Sequence, residues 1–235
     1  MLLDIKNIDV LYDDFQVIWD VSINVKKAEM VALLGPNGSG KSTVLNTISN
    51  LVAHKKGSIT FNNTLISNIP TYRRTELGIS HVLERRRVFP HLTVKQNLIL
   101  GAWHPRAKEK LSKSLNQVYK IFPKLETRSD QLAKTMSGGE QQMLAIARGM
   151  MGLPKLLMID EPFLGLSPMV VKDLIGIFKN IVSEGISILF VEQNVRLALS
   201  MADRGYVLES GRLVVSGNSK DLIDSDKVKK VFLGN

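Results

Sequence analysis

The sequence has no cysteine among its 235 residues, which excludes a disulfide framework and any cysteine-ligated metal site. No apolar run approaches the roughly 20 residues that a membrane-spanning helix requires. The first residues, MLLDIKNIDVLYDD, place acids early and lack the basic-then-apolar order of a secretory signal. We therefore expect a protein of the cytoplasm, and the lack of cysteine is compatible with a reducing compartment.

Acidic residues are also scarce relative to basic ones, so the formal net charge is +9. Residues 88–134 contain nine Lys or Arg against three Asp or Glu, which concentrates +6 of that charge in one stretch. A basic balance favours an anionic partner, such as nucleic acid, an anionic membrane surface or a phosphate ligand. The alternative is a solvated helical face. Hydrophobic residues at 44% and charged residues at 23% are otherwise ordinary for a soluble domain with an ample core.

The stretch from Met30 to Thr43, MVALLGPNGSGKST, is the clearest functional feature of the chain. A short apolar run predicts a buried strand, a glycine-rich loop follows, and apolar residues at helical spacing come next. This order fits the G-x-x-x-x-G-K-[ST] pattern in its required strand–loop–helix context. Backbone N–H groups of such a loop and the positive end of the helix bind phosphate, Lys41 reaches the β- and γ-phosphates, and the Ser42 hydroxyl ligates Mg²⁺. The predicted phosphate-binding residues are Gly35, Pro36, Asn37, Gly38, Ser39, Gly40, Lys41, Ser42 and Thr43.

The remaining pattern predicts an α/β fold. Three strands surround the loop without intervening helices, at 3–10, 17–25 and 57–61, which indicates an antiparallel β portion attached to an α/β core. Strands alternating with helices in the second half predict a mostly parallel sheet. Residues 93–130 are mostly helical in character, with one helix that Thr93 is expected to cap and that runs to about Gly101, and another from Pro105 to Pro123. We predict one domain over 1–235, with a nucleotide-binding core of 1–87 and 155–235 and a helical subdomain of 88–154.

Two adjacent acids end an apolar run at Asp160 and Glu161, and Pro162 terminates the predicted strand. Open α/β sheets bind ligands at the carboxyl ends of their strands. Hydrolysis of a magnesium nucleotide needs one carboxylate for the metal and one group that positions the attacking water. Asp160 suits the first role and Glu161 the second.

A second anion-binding segment precedes the helix that leads to this strand. Ser137 is expected to cap the helix, and the glycines after it expose backbone N–H groups. The simplest interpretation is a capped helix start, but a second phosphate site in one chain is meaningful if it completes a partner's nucleotide pocket. The segment consists of Ser137, Gly138, Gly139, Glu140 and Gln141.

Together these motifs resemble the ATP-binding subunits of ABC transporters, and the resemblance spans essentially the whole chain. Gly35 to Thr43 resembles the Walker A loop, Ser137 to Gln141 the signature motif, and Leu156 to Glu161 the Walker B strand with its catalytic glutamate. Phe163 to Pro168 stands where the family has its D-loop, and Tyr12 stands where the family stacks an aromatic ring on adenine. The resemblance implies a P-loop NTPase (RecA-like) core with an antiparallel β subdomain and a helical signature subdomain.

The same resemblance implies ATP and Mg²⁺ as ligands and a head-to-tail dimer with a second ABC ATPase subunit, identical or homologous. It further implies transmembrane permease subunits, a periplasmic or extracellular binding protein reached indirectly, and a place at the cytoplasmic face of the membrane. The basic helical subdomain would then face the permease near the anionic leaflet.

A finer resemblance is to the shorter ATPase subunit of branched-chain amino-acid importers. It is carried by the segments 88–98, 139–148, 165–168 and 191–194. Subunits of importers for urea and short amides are similar, and lipid is a further alternative cargo.

Two positions depart from the general family pattern. Glu84 stands where a glutamine usually approaches Mg²⁺. Leu83 and Arg85 replace the proline and glycine that the subfamily has on either side, so the resemblance does not predict the path of this loop. Gln193 stands where the family has a histidine, and its amide can donate to the γ-phosphate but cannot carry a proton. Residues 85–87 are three arginines that either contact the membrane partner or phosphate, or form a solvated basic turn. The histidines, which we interpret as structural, are His54, His81, His91 and His104.

Two other classes fit the sequence poorly. ABC ATPases that act on nucleic acid or ribosomes tend to have two cassettes, coiled coils or zinc modules, whereas this chain has one cassette and no cysteine, so we expect no nucleic-acid partner. A GTPase would need N-K-x-D for guanine, and the nearest string, residues 218–221, is NSKD.

Overall fold

The computed structural model describes residues 1–233 of the chain. Its strands are β1 (Leu3–Tyr12), β2 (Phe15–Val25), β3 (Met30–Leu34), β4 (His54–Phe61), β5 (Thr64–Leu65), β6 (Ile79–Val82), β7 (Leu156–Asp160), β8 (Ser187–Glu192), β9 (Arg204–Glu209) and β10 (Arg212–Asn218). Its helices are α1 (Lys41–Ile48), α2 (Thr71–Leu77), α3 (Val94–Gly101), α4 (Pro105–Glu109), α5 (Leu111–Ile121), α6 (Pro123–Glu126), α7 (Gly138–Met150), α8 (Pro168–Ser183), α9 (Val195–Met201), α10 (Ser219–Ile223) and α11 (Asp226–Leu233), with a 3₁₀ turn at Ala133–Thr135.

A six-stranded sheet in the order β10-β9-β3-β8-β7-β6 forms the centre of the fold. Every neighbouring pair is parallel except β9 and β10. Strands β3, β7 and β8 are buried along their whole length, as continuous apolar runs in a covered parallel sheet should be. Because parallel strands end at the same edge, the residues that follow β3, β7 and β8 meet at one edge of this sheet.

A second sheet is antiparallel, in the order β2-β1-β4-β5, and packs against one face of the first. Alternate residues of the central strands separate the two faces: Val31 and Leu33 join the core shared with the antiparallel sheet, whereas Ala32 and Leu34 join the core under the helices. The predicted fold class, a P-loop α/β core with an antiparallel β portion and a helical portion, is confirmed. The exact subdomain boundaries stay a prediction.

The helical stretch differs from the sequence-based expectation in one place. Thr93 caps α3 through a full capping box with Gln96, as expected, but the helix predicted from Pro105 to Pro123 breaks at Lys110 into α4 and α5. Buried His104 anchors the first part, because its Nδ1 accepts from the Ala107 N–H at 3.4 Å and its Nε2 lies 3.0 Å from the Gly152 carbonyl oxygen. The break therefore separates a segment fixed by His104 from one that packs its own apolar face on the core.

Helix α1 ends at Ile48, where a buried arginine contacts its last carbonyls. Arg74 is 1% exposed, and its guanidinium donates to the carbonyl oxygens of Thr47 at 3.0 Å and Ile48 at 2.7 Å. It also donates to the carbonyls of Ile69 and Ser67. Burial lowers the pKa of Arg74 to about 10. Since this is still well above neutral pH, the guanidinium remains charged. One side chain thus caps the helix that leaves the phosphate loop.

We expect Arg74→Met to lower the free energy of unfolding by about 3 kcal/mol, the scale for removing one partner of a buried charged network. Four backbone carbonyls would lose a charged donor. Urea denaturation followed by circular dichroism measures the change. The exposed neighbour Arg73 gives the matched control, since Arg73→Met should change stability by less than about 0.5 kcal/mol. Equal stability of the two variants would contradict this role.

Candidate functional site

The phosphate-loop segment leaves β3 at Gly35 and becomes helix α1 at Lys41. Gly40 caps this helix with φ +99°, a left-handed conformation that glycine adopts without strain. Buried Ile18 lies directly behind Gly40, where a side chain would collide with it. The loop thus brings the positive end of an eight-residue helix to the edge of the sheet.

A hairpin turn supports the back of this loop. The Gly211 N–H, in the turn between β9 and β10, donates to the Ser39 carbonyl at 3.0 Å, and the Gly211 carbonyl accepts from the Trp19 N–H at 2.9 Å. Gly211 has φ +76°, and a Cβ there would collide with the Val17 carbonyl. No local pattern in the sequence indicates that this turn contacts the phosphate loop.

The Lys41 ammonium lies inside the loop. Its Nζ donates to the carbonyl oxygens of Gly35 at 2.9 Å and Pro36 at 3.0 Å, and the residue is 5% exposed. Burial lowers the pKa of Lys41, and the nearby carboxylates of Glu161, Asp160 and Glu192 oppose that shift. The lysine is therefore a cation held close to three acids, at the place where the loop can bind phosphate.

Ser42 and Asp160 lie together although they come from α1 and β7. The Ser42 hydroxyl donates to Asp160 Oδ1 at 3.1 Å. Burial raises the pKa of Asp160, the Ser42 hydrogen bond opposes this, and the carboxylates of Glu161 and Glu84 raise it further. Two oxygen donors at one point suit Mg²⁺, which proteins often hold with one or two carboxylates while phosphates and water supply the other ligands. Accordingly, no group of three or more His, Cys, Asp or Glu residues that could hold a metal occurs within residues 1–233.

Glu161 lies just beyond the end of β7 in a left-handed conformation, with φ +45°. This conformation is uncommon for a residue other than glycine, and it breaks the strand alternation that would otherwise direct Glu161 away from Asp160. The Gln193 amide donates to Glu161 Oε1 at 2.5 Å. The end of β7 and the segment after β8 are thus joined by two predicted catalytic side chains.

Glu192, which sequence reasoning did not single out, lies behind this pair. It is 6% exposed and accepts from the backbone N–H groups of Phe163 at 3.2 Å and Gln193 at 3.1 Å. Burial raises the pKa of Glu192, and the backbone N–H donors oppose the shift. The carboxylate therefore fixes the segments after β7 and β8 to each other. A buried strand that ends in an acid next to a polar residue was the only sequence feature that could have indicated it.

A cleft of about 580 Å³ opens over these residues. It joins the loop, Glu84, Glu161 and Gln193, and Val17 lies at its apolar side. Tyr12 ends β1, is 44% exposed and does not line the cleft, so its predicted adenine-stacking role stays a prediction. The lining residues are Val17, Asn37, Gly38, Gly40, Lys41, Ser42, Thr43, Glu84, Glu161, Leu164 and Gln193.

The second predicted anion segment lies outside the cleft of its own chain. Ser137 caps α7 in a capping box: its Oγ accepts from the Glu140 N–H, and Glu140 accepts from the Ser137 N–H at 2.9 Å. Glu140 also pairs with Arg128 at 3.0 Å, and the Gln141 amide donates to the carbonyls of Ala133 and Met136. Gly138 and Gly139 form the first turn of the helix, so their N–H groups have no partner within the helix.

The four histidines are all within the described residues, and none lines the cleft. Burial lowers the pKa of His81 to about 4, and His104 is a buried helix cap.

Within residues 1–233 no helix is long and apolar enough to cross a membrane.

Comparison with known proteins gives consistent results. The sequence model of a family described as "ABC transporter" matches residues 18–164. The chain is 41% identical over 233 residues to the high-affinity branched-chain amino acid transport ATP-binding protein BraG of Pseudomonas aeruginosa, covering 99% of this chain and 100% of that protein. It is 36% identical over 224 residues to the probable branched-chain amino acid transport ATP-binding protein LivF of Archaeoglobus fulgidus, covering 95% and 94%. A solved ABC transporter cassette in its ADP conformation superimposes with a TM-score of 0.87 at 26% identity, covering 100% of this chain and 99% of that one.

We expect Gly211→Ala to weaken ATP binding about tenfold, or about 1.4 kcal/mol, because the displaced hairpin no longer supports Ser39. Titration with a fluorescent ATP analogue measures the affinity. Gly176 lies exposed in α8 with open space around its Cα, so Gly176→Ala is the matched control and should bind as the unchanged protein does. The support would be disproved if Gly211→Ala, still folded by circular dichroism, bound ATP with unchanged affinity.

Proposed function

The chain belongs to the ABC transporter family of ATP-binding subunits, and on that premise we propose that it powers an importer of branched-chain amino acids. Its activity is ATP hydrolysis coupled to transport. One observation supports this activity: the residues at the ends of three parallel strands meet at one edge of the sheet. They are Lys41 and Ser42 after β3, Asp160 and Glu161 at the end of β7, and Gln193 after β8. The cargo rests on the relatives' names.

We infer that the triphosphate of ATP lies in the loop 35–43, with the Lys41 ammonium on its β- and γ-phosphates and the adenine against Tyr12. Glu161 accepts a hydrogen bond from the attacking water and takes its proton. The water oxygen forms a bond to the γ-phosphorus as the bond to the β–γ bridging oxygen breaks, which gives ADP and phosphate. Gln193 orients Glu161 through the 2.5 Å hydrogen bond.

Ser42 and Asp160 would hold Mg²⁺, with Glu84 contributing partly through water. When bound, the ion neutralises the charge that develops on the phosphates. The fit rests on the two oxygen donors that already lie 3.1 Å apart beside the loop.

The signature segment 137–141 lies outside its own cleft, and we infer that it closes over the ATP of a second subunit packed head to tail. Exposed apolar side chains accompany the segment after β7: Leu164 is 54% exposed at the cleft, and Met169 is 73% exposed in the first turn of α8. Burial of both against a second subunit would stabilise the dimer. Hydrolysis in such a site opens the dimer and so produces movement in the membrane subunits.

A groove of about 500 Å³ between the core and the helical stretch is where we expect the permease to dock. An exposed apolar patch is typical of a protein–protein interaction site. The groove has such a patch, formed by the side chains of Leu51, Phe89, Leu100 and Trp103. The basic stretch 88–134 supplies three of these four side chains, Phe89, Leu100 and Trp103, and its charge would favour the anionic cytoplasmic leaflet. This arrangement implies a peripheral protein at the cytoplasmic face, connected to an external binding protein only through the permease.

We expect Glu161→Gln to keep ATP affinity, reduce turnover by at least about 100-fold and trap an ATP-dependent dimer, because only the water-positioning carboxylate is lost. Phosphate release and size-exclusion chromatography with light scattering measure the two effects. Glu109→Gln, at an exposed position in α4, is the control with the same chemical change. Undiminished hydrolysis by Glu161→Gln would refute the assignment.

We expect the subunit reconstituted with its permease in liposomes to support ATP-dependent uptake of leucine, with external urea unable to compete. Trp103→Ala in the groove should reduce uptake at least about tenfold, since central aromatic anchors dominate such interfaces. Leu65→Ala, at an exposed apolar residue of β5, should not.

Uptake of urea in place of leucine would disprove the cargo and leave the ATPase intact. Unreduced uptake with Trp103→Ala would disprove the groove as the docking site.

A further inference from the structure

Arg86 has an unusual backbone conformation between β6 and α3. Arg85 and Arg86 have φ angles of +69° and +53°, two consecutive left-handed residues that are not glycine. Such a pair is unfavourable for L-residues unless surrounding contacts hold it. The next carbonyl, that of Arg87, accepts a hydrogen bond from Arg148 of α7, which fixes the turn to the helix that begins in the signature segment.

The Arg86 side chain joins two segments that are remote in sequence. Its Nη2 donates to the carbonyl oxygens of Gly165 at 3.1 Å and Leu164 at 3.4 Å. Its Nη1 lies so close to Gly138 that a Cβ at that position would collide with it. The guanidinium therefore lies between the segment after β7 and the first turn of α7.

No carboxylate within residues 1–233 forms a salt bridge with Arg86, so these contacts are what hold it. The preceding residue differs: Arg85 pairs with Glu84 at 3.5 Å, and its side chain is 83% exposed. One arginine of this turn is thus a bridge, whereas its neighbour points to solvent.

The bridge connects two functional surfaces. The Leu164 side chain lines the nucleotide cleft of its own chain, whereas Gly138 belongs to the segment proposed to meet the partner's ATP. We propose that Arg86 is a positioning residue that couples these two surfaces, so that ATP in one cleft of the dimer sets the signature segment for the other. The inference rests on the proposed head-to-tail dimer.

The test compares Arg86→Ala with Arg73→Ala, which makes the same change in charge at an exposed position of α2, away from the cleft. Each substitution is made in two backgrounds. In the otherwise unchanged protein, the rate of hydrolysis is measured as a function of ATP concentration. In the Glu161→Gln protein, light scattering measures ATP-dependent dimerisation. We expect Arg86→Ala to weaken dimerisation about tenfold, within the usual range of coupling between sites, and to bring the Hill coefficient for ATP toward 1. ATP affinity of the monomer should not change, and Arg73→Ala should match its parent in every assay. Arg86→Lys, which cannot span both contacts with one ammonium, should restore little.

The coupling is overturned if Arg86→Ala and Arg73→Ala dimerise equally and retain the same Hill coefficient, or if Arg86→Ala lowers monomer ATP affinity by the same factor as dimerisation. If Glu161→Gln alone forms no dimer with ATP, the proposed function fails before the coupling is reached.

Discussion

The whole site depends on the alignment of parallel strand ends. Strands β3, β8 and β7 are hydrogen-bonded neighbours, so the residues after them cannot avoid each other. The 3.1 Å bond between Ser42 and Asp160 joins the first and third of these ends, and the 2.5 Å bond between Gln193 and Glu161 joins the second and third. A cation in the loop and carboxylates opposite it follow from this topology, because no flexible segment has to bring them together.

Burial makes the charges in this arrangement interdependent. Desolvation lowers the pKa of Lys41 and raises the pKa values of Asp160 and Glu192. The negative charge of each acid partly opposes the downward shift of the lysine pKa. The ammonium donates to loop carbonyls that a bound phosphate would compete with. The Lys41 ammonium is thus already in position for a phosphate that enters the loop. The carboxylates opposite the loop favour a divalent ion between themselves and the phosphate.

Local patterns in the sequence predicted the fold class, the two strands that end at the phosphate loop and at Asp160, and the capped starts of α3 and α7. These features depend on residues close in sequence, such as Thr93 with Gln96 or Ser137 with Glu140. What could not be predicted depends on contacts between distant residues. Arg74 closing α1, Gly211 supporting Ser39, and Arg86 meeting Gly165 are ordinary residues until the chain folds. The break at Lys110 was also missed, and the segment before it is fixed by His104, whose partner Gly152 is remote in sequence.

The central claim is that each nucleotide site combines the loop of one subunit with the signature segment of another. The most direct measurement mixes two folded, inactive variants, Lys41→Ala and Ser137→Arg, and follows ATP hydrolysis. A mixed dimer contains one site with an intact Lys41 and an intact Ser137 from different chains, so activity should return on mixing. Two variants that each retain full activity alone, or a mixture that stays inactive although it forms dimers, would contradict a shared site.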